Sequence, residues 1–411
     1  MRIFGHTLVL ILLTLFFPFA SWCWEFEGEL SGQTRYFPYS PAYPGQKSQN
    51  QSIAIELSAY HEFTNSVSLE FIPFYRYDFQ DDERSHGDIR KAYALWATPR
   101  LEIGLGINKV FWGVTEAIHL VDIINQTDLV EAPDQEEKLG QAMLSLSFPL
   151  STGLLDIYVM PYFRERTFPG EEGRLRSSPR FDTNNPIYEH QDKDHHVDWA
   201  VRLKQNFAQG ELALSYFEGT GRDPGLITPV MSSEQLLIPY YPQIKQVGLE
   251  AQYIKDEWLW KLETIYRKGQ PNLHFEVEDY YATTGGFEYN IYSIFATTQD
   301  LGIIVEGIYD QRSDTALTFN EEDVVLGARW SLNNLNSTEL LALWIQDIDT
   351  SAHNFILELS TEFGNSIAVT VEAWIFSEHS RPDSSSDIGA DNLGYLIRRD
   401  DYLQIEIGYY F

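Results

Sequence analysis

Apolar and polar residues alternate along most of the chain with a period of two. Segments such as 101–107, 155–159, 258–263 and 367–375 show it clearly, and so does the end of the chain at 401–411. There the residues on one face of an extended strand are Leu403, Ile405, Ile407, Tyr409 and Phe411. Sustained alternation without a helical period predicts β-strands, with one apolar and one polar face.

Alternating segments and the turn residues between them predict about 18 strands, within a range of 16–18. The predicted strands are 24–36, 50–61, 65–78, 86–97, 99–108, 138–149, 153–164, 195–205, 209–219, 240–253, 257–268, 275–290, 298–311, 320–331, 336–346, 353–363, 366–377 and 401–411. Short links take turns with long ones at 37–49, 109–137, 165–194, 220–239 and 378–400. Bacterial outer-membrane barrels have an even strand number, short periplasmic turns and longer extracellular loops. The pattern therefore predicts an all-β fold, a single transmembrane antiparallel β-barrel over 24–411.

The two ends of the chain predict export to the outer membrane of a Gram-negative cell. Arg2 precedes an apolar run at 8–19 that is too short to span a bilayer as a helix, so 1–23 is predicted to be a cleaved signal peptide. Lipidation of Cys23 is the alternative, which the bulky Trp22 before it disfavours. The terminal aromatics Tyr409 and Phe411 are predicted to be the signal that the barrel assembly machinery reads.

Composition excludes several classes of function. The single cysteine is Cys23, so the mature chain has no disulfide, thiolate metal site or cysteine nucleophile. A formal charge of -31 argues against nucleic-acid binding, because no positive field would gather phosphates. Expected partners are outer-membrane lipid and lipopolysaccharide, the assembly machinery and a small-molecule solute; the oligomeric state stays open. No cofactor is expected.

If the terminal apolar face contacts lipid, the opposite faces of the strands line an aqueous lumen. The predicted lumen-wall residues carry both signs of charge and are Arg90, Arg164, Arg202, Arg329, Glu306 and Glu372. Mixed charges create a transverse field that selects polar solutes and tunes ion preference. Any wide polar lumen also needs paired, solvated charges to be stable, and the two interpretations are compatible.

Segment 109–137 is more apolar than a solvated extracellular loop. Thr115 is predicted to cap a short helix, and the segment is predicted to fold against the inner barrel wall and narrow the pore. The residues predicted to form this constriction are Lys109, Trp112, Glu116, His119, Asp122 and Asp128.

A recurring motif lies in the same region. Gly106-Ile-Asn-Lys109, Phe111-Trp112-Gly113, Val121-Asp-Ile-Ile-Asn125 and Asp128 resemble the signature of a porin-like family of proteobacterial outer-membrane barrels, domain of unknown function 1302 or a relative. The match covers about 25 residues, and Gln126 stands where the family commonly has proline. The resemblance implies an outer-membrane location and a channel role, without defined catalytic residues.

Catalytic and metal motifs are weak. The segment 190–198 groups three histidines with aspartates, but without tetrahedral ligand spacing, so a solvated loop is favoured and no metal site is predicted. No serine has the context of a nucleophile elbow. The predicted function is a passive channel for small polar or hydrophobic solutes and not an enzyme. The alternatives are a plugged structural or assembly partner of an envelope complex and, with less support, an outer-membrane enzyme.

Overall fold

The computed structural model of the protein describes residues 24–227, 236–318, 320–377, 379, 381 and 389–411. The predicted signal peptide at 1–23 lies outside the described residues.

Eighteen antiparallel strands form one closed barrel, as the alternation predicts. They are numbered here in chain order: β1 Glu25–Tyr36, β2 Gln49–Thr64, β3 Val67–Asp78, β4 Gly87–Ala97, β5 Glu102–Asn108, β6 Gln141–Leu150, β7 Gly153–Met160, β8 Asp198–Phe207, β9 Gly210–Thr220, β10 Gln243–Lys255, β11 Trp258–Pro271, β12 Val277–Ile291, β13 Asp300–Asp310, β14 Glu322–Ser331, β15 Glu339–Asp347, β16 His353–Phe363, β17 Ile367–Ser377 and β18 Tyr402–Tyr410.

The barrel closes between its first and last strands. β1 pairs with β2 on one side and with β18 on the other, with Gly32 opposite Ile407 across the closing pair. Closure pairs the edges that an open sheet would leave free, and each unpaired backbone group in hydrocarbon would cost several kcal/mol.

The two ends of the barrel differ in the length of their connections. The end that holds both termini has short turns such as 65–66, 151–152 and 256–257. The opposite end has long connections at 37–48, 109–140, 161–197, 221–242 and 378–401. This distribution confirms the predicted alternation of short and long connections.

Side-chain exposure confirms the predicted faces of the terminal strand. Leu403, Ile405 and Ile407 are exposed on the outer surface, whereas Gln404 is buried on the inner one. Aromatic side chains also gather on the outer surface beside the short turns. Trp258 and Trp260 of β11 stack there with ring centroids 5.6 Å apart and contact Phe287 of β12. Such a group suits the girdle at a membrane interface.

Short elements occupy the connections. The described residues include 3-10 helices at Lys193–His195, Ile294–Ala296, Ser313–Thr315 and Ala390–Ile397. The short strand Leu236–Tyr241 pairs with three others. It is antiparallel to Gly225–Ile227 and parallel to Arg180–Phe181 and Ile187–Tyr188. No helix of the described chain has the length and apolar character needed to cross a membrane.

Candidate pore constriction

The connection between β5 and β6, residues 109–140, is called here the inner segment. Its apolar side chains pack on inward-facing residues of several strands, so it lies inside the barrel rather than above it. Trp112 is 1% exposed and clusters with Val121, Ile123 and Ile124 of the same segment. The wall residues of this cluster are Met143, Tyr158, Met160, Ala200, Phe217, Ile244, Ile265, Tyr280 and Ala282.

The apolar contact continues to the far side of the barrel. Ala117 and Ile118 pack against a second cluster, formed by Ile304, Ile308, Val325, Leu343 and Ile345 of β13–β15. The inner segment therefore leaves the wall at β5 and extends inside the barrel to strands β13–β15.

Two carboxylates of the wall bind the backbone of the inner segment. Oε1 of Glu263, on β11, accepts the N–H of Val114 at 2.7 Å, the N–H of Thr115 at 3.0 Å and the Thr115 hydroxyl at 2.7 Å. Glu306, on β13, accepts the N–H of Glu116 at 2.9 Å and that of Ala117 at 3.2 Å. Hydrogen bonds to an ionised acceptor are about twice as strong as neutral ones, so these carboxylates fix the turn at 114–117.

The predicted short helix at Thr115 is wrong, because residues 111–119 are irregular and contain no helical turn. As an N-cap, Thr115 would accept the backbone N–H of residue 117 or 118. The N–H of Ala117 donates to Glu306 instead, and the Thr115 hydroxyl shares its one hydrogen between Glu263 and the carbonyl of Ile118, each at 2.7 Å.

Gly113 allows the chain to approach the wall closely. Its φ of 149° is one that residues with a side chain rarely adopt. A Cβ at this position would lie 2.7 Å from Nδ1 of His119 and 3.2 Å from the Glu263 carboxylate. The Trp112-Gly113 pair thus combines an apolar anchor with the space for the adjacent hydrogen bonds.

Charged residues of the constriction pair with the wall. Glu116 lies 3.3 Å from Nζ of Lys261 and also forms an ion pair with Arg329, which bonds to Glu339 at 2.9 Å. Arg202 pairs with Glu250 at 2.6 Å, and its guanidinium lies 5.7 Å from the centre of the Trp112 ring. Glu116 thus pairs the inner segment with the wall, whereas Arg202 and Glu250 pair with each other within the wall.

His119 lies between two carboxylates. Its Nδ1 is 3.7 Å from Glu263 and its Nε2 is 3.8 Å from Glu136. Burial alone would favour the neutral ring, but the attraction of both carboxylates outweighs it and raises the pKa of His119 to about 9. The imidazolium therefore predominates at neutral pH.

Asp122 and Asp128 are both buried within the inner segment. Asp122 lies 3.2 Å from Nζ of Lys138, and its desolvation raises its pKa. Asp128 contacts His86 at 3.0 Å and Arg90 of β4 at 2.9 Å. Burial opposes the ionisation of Asp128, but these two partners hold its pKa below the usual range.

One group of side chains has the spacing of metal ligands. One ligand atom from each of His86, Asp128 and Glu131 lies within 4.8 Å of the others. However, Arg76 bonds to Glu131 at 2.8 Å, and Arg90 bonds to Asp128 at 2.9 Å. Two guanidinium groups already neutralise these carboxylates, and a cation beside them would be repelled. The group acts as an ion-pair network that ties the inner segment to β3 and β4.

The remaining predicted residues lie apart from this centre. Lys109 is 3.9 Å from the exposed Glu137. Arg164 lies beyond the end of β7, where it pairs with Asp88, and not within a strand as predicted. Glu372 lies on β17, opposite Glu358 and Gln404 of the adjacent strands.

Sequence reasoning did not include in the candidate site the residues that bind the segment most directly. Lys261 and Glu263 lie on the polar face of β11 and alternate with the outward-facing Trp260 and Leu262. Their period-two position showed that they face the lumen. Nothing in the local pattern showed that Glu263 would meet a turn 148 residues away.

No protein-family model matches the chain, and neither does any curated protein. Among solved structures, the chain is similar to a BenF-like porin from Pseudomonas fluorescens Pf-5, with 10% identity and a TM-score of 0.53 over 94% of this chain and 98% of that one. It also aligns with OmpT, an outer membrane protein of Vibrio cholerae, at 9% identity and a TM-score of 0.44 over 95% and 98% of the two chains. Salmonella typhi OmpF in complex with daunomycin aligns at 10% identity and a TM-score of 0.43 over 94% and 97%. The similarity to the BenF-like porin shows the fold alone. This fold is a porin-like β-barrel, and it indicates an outer-membrane setting.

Proposed function

We propose that the protein is an outer-membrane channel for the passive passage of small polar or hydrophobic solutes, with the inner segment as its constriction. The observation that carries the proposal is the path of this segment inside the barrel, bound by Glu263 and Glu306. A barrel of 18 strands is too wide for wall side chains alone to fill, so a segment across its lumen decides what passes. The charged residues Glu116, His119 and Arg329 would then face the permeating solute.

The orientation and export of the chain belong to the same proposal. Residues 1–23 act as a cleaved signal peptide, and the end with short turns faces the periplasm. This orientation follows the general arrangement of bacterial barrels, in which long loops are extracellular. The mass of the protein purified from outer membranes tests the cleavage, because a chain starting near Trp24 is expected.

Planar-bilayer recording of the purified protein tests the channel. Wild-type protein is expected to give discrete single-channel steps, and deletion of 114–135 is expected to increase their size because the constriction is lost. Shortening a connection at the other end of the barrel, 292–299, is the control and should leave the steps unchanged. No steps from either the wild type or the 114–135 deletion would contradict a channel.

A plugged barrel is the second candidate. The burial of Trp112, Ile123 and Ile124 favours it, because an apolar segment packed to this degree blocks part of the lumen. The same recording separates the two: a plugged barrel conducts only after 114–135 has been removed, whereas a channel conducts before.

A further inference from the structure

One side of the barrel wall stands apart from the apolar clusters of the inner segment. Those clusters draw their buried wall residues from β6–β15. The wall continues through β16, β17, β18, β1 and β2, where several inward-facing positions are acidic. The five acidic side chains, called here the acidic face, are Glu29, Glu56, Glu358, Glu372 and Glu406. They are half-buried or exposed, so the solution in the lumen reaches them.

Four of these carboxylates stand directly opposite one another on neighbouring strands. Glu29 of β1 is in register with Glu56 of β2, and Glu358 of β16 is in register with Glu372 of β17. Glu406 lies on β18, between these two pairs of strands. Like charges directly opposite each other destabilise a sheet, so cations that enter from the solution would stabilise this face.

Basic side chains do not neutralise the acidic face. Among the residues that the structure describes, no Lys, Arg or His nitrogen lies within 4.0 Å of any of its five carboxylates. By contrast, Glu250 of the covered wall pairs with Arg202 at 2.6 Å. Arg35 shares the uncovered wall, but its guanidinium bonds to the side chain of Gln404 and to the carbonyl of Glu131, both at 2.5 Å. Five carboxylates and one arginine leave this side of the lumen negative.

A cavity of about 740 Å³ opens at the short-turn end of the acidic face. Its lining includes Glu29 and Glu56 of the face together with Glu27 and Glu362, and no basic residue of the described chain lines it. A water molecule occupies about 30 Å³ in the liquid, so this cavity can hold a cation with its hydration shell.

A buried hydroxyl without a partner lies at the other end of the face. Tyr402 of β18 is 3% exposed, and its hydroxyl meets no hydrogen-bond partner within the described part of the chain. The charged groups within electrostatic range of it are Arg35, Arg84, Glu372 and Asp134. Arg84 is neutralised by Asp78 at 2.9 Å, so the two other carboxylates outweigh Arg35. The phenolic oxygen therefore suits a donor that carries positive charge, either an ammonium N–H or the hydration water of a metal cation.

We infer that the channel selects small cations, inorganic or ammonium, which move along the acidic face between the cavity at the short-turn end and the inner segment. The inference rests on the proposed function and deepens it, because it names the class of solute. Carboxylates that face water and lack basic partners attract cations and repel anions, as rings of Asp and Glu do in cation channels.

A single thiol beside the acidic face reports its potential without requiring conduction. Cys23→Ser removes the only cysteine of the chain, and Ser58→Cys places one thiol in the cavity, opposite Glu27. The probes are two methanethiosulfonate reagents, one with a trimethylammonium group and one with a sulfonate. Relative to their rates with a free thiol, the cationic reagent is expected to react about tenfold faster or more, because an acidic wall concentrates cations by about this factor. Equal relative rates, or a faster sulfonate, would overturn the inference.

Matched variants assign the preference to the acidic face. Glu29→Gln and Glu56→Gln, made singly in the single-thiol protein, are each expected to lower the preference for the cationic reagent. Each substitution relieves a like-charge pair, so a closed barrel is expected, which heat-modifiable migration in a gel checks. Asp279→Asn is the control, because it removes the same charge from the outer face of β12, where Asp279 pairs with Lys268 at 3.4 Å. An unchanged preference in both glutamate variants would overturn the inference.

Reversal potentials in planar bilayers test the same selectivity during conduction. In a gradient of potassium chloride at or below about 0.1 M, where charges act over about 10 Å, the wild type is expected to favour potassium several-fold over chloride. Combining Glu358→Gln, Glu372→Gln and Glu406→Gln is expected to lower this ratio. Conductance that favours chloride would overturn the inference and leave the proposed channel intact. Faster labelling by the cationic reagent without any conductance would contradict the channel, while the attraction of the acidic face for cations would stand.

Discussion

The carboxylate of Glu263 on β11 accepts the backbone N–H groups of Val114 and Thr115 at 2.7 and 3.0 Å. In the Glu263→Gln variant the charge is lost, and each of these bonds falls from the charge-assisted to the neutral range, about 1 kcal/mol weaker. We expect the inner segment to detach more often, which bilayer recording would show as larger or more variable conductance steps.

A matched variant checks that this effect is local. Glu211→Gln removes a half-buried carboxylate at the short-turn end of β9, where it pairs with Lys204 of β8 at 2.7 Å rather than with the inner segment. Its conductance should equal that of the wild type. Equal conductance in Glu263→Gln would mean that the carboxylate does not hold the segment in solution.

Replacement of Trp112 by alanine tests the apolar anchor. Trp112 is 1% exposed, whereas the neighbouring Phe111 is 57% exposed. Removing a buried aromatic side chain costs about 3–5 kcal/mol, while an exposed one contributes far less. Trypsin is therefore expected to cleave Trp112→Ala after Lys109 or Lys138 faster than it cleaves the wild type, with Phe111→Ala as the control. Equal cleavage of the two variants would contradict an anchoring role.

The sequence predicts the barrel far better than it predicts the constriction. Period-two alternation determines which face of β18 is outward, so Leu403 and Ile405 were placed correctly from local pattern alone. The cap expected at Thr115 is absent because the N–H of Ala117 donates to Glu306 of β13 and the Thr115 hydroxyl bonds to Glu263 of β11. Such partners are distant in the chain, and a local pattern carries no information about them.

The two carboxylates beside His119 should determine the pH at which its imidazole loses its proton. Its pKa is raised to about 9 from an ordinary value near 6.5, so the ion pairs contribute stability fully below about pH 6.5. This contribution is lost as the pH rises through about 9. An NMR titration of His119 in micelles is expected to show the raised pKa, with release of the inner segment on the alkaline side.

Two adjacent glutamates provide the control for this titration. Glu136 lies 3.8 Å from His119, whereas Glu137 lies 3.9 Å from Lys109. Glu136→Gln should lower the pKa of His119, and Glu137→Gln should leave it in place. The same pKa in both variants would show that Glu136 does not stabilise the imidazolium.

The backbone of Phe411 takes part in closing the barrel. The backbone N–H of Phe411 donates to the carbonyl of Gly28, and the N–H of Gly28 donates to the carbonyl of Phe411, both at 2.9 Å. Deletion of Phe411 removes both bonds and the terminal aromatic, whereas Phe411→Ala removes the aromatic alone. If the aromatic is the assembly signal, both variants should reduce the amount of heat-modifiable barrel in outer membranes, and the deletion should reduce it further.

Phe207→Ala is the control, because Phe207 is a comparably exposed aromatic at the short-turn end of β8. Equal amounts of assembled barrel in Phe411→Ala and Phe207→Ala would limit the role of Phe411 to its backbone.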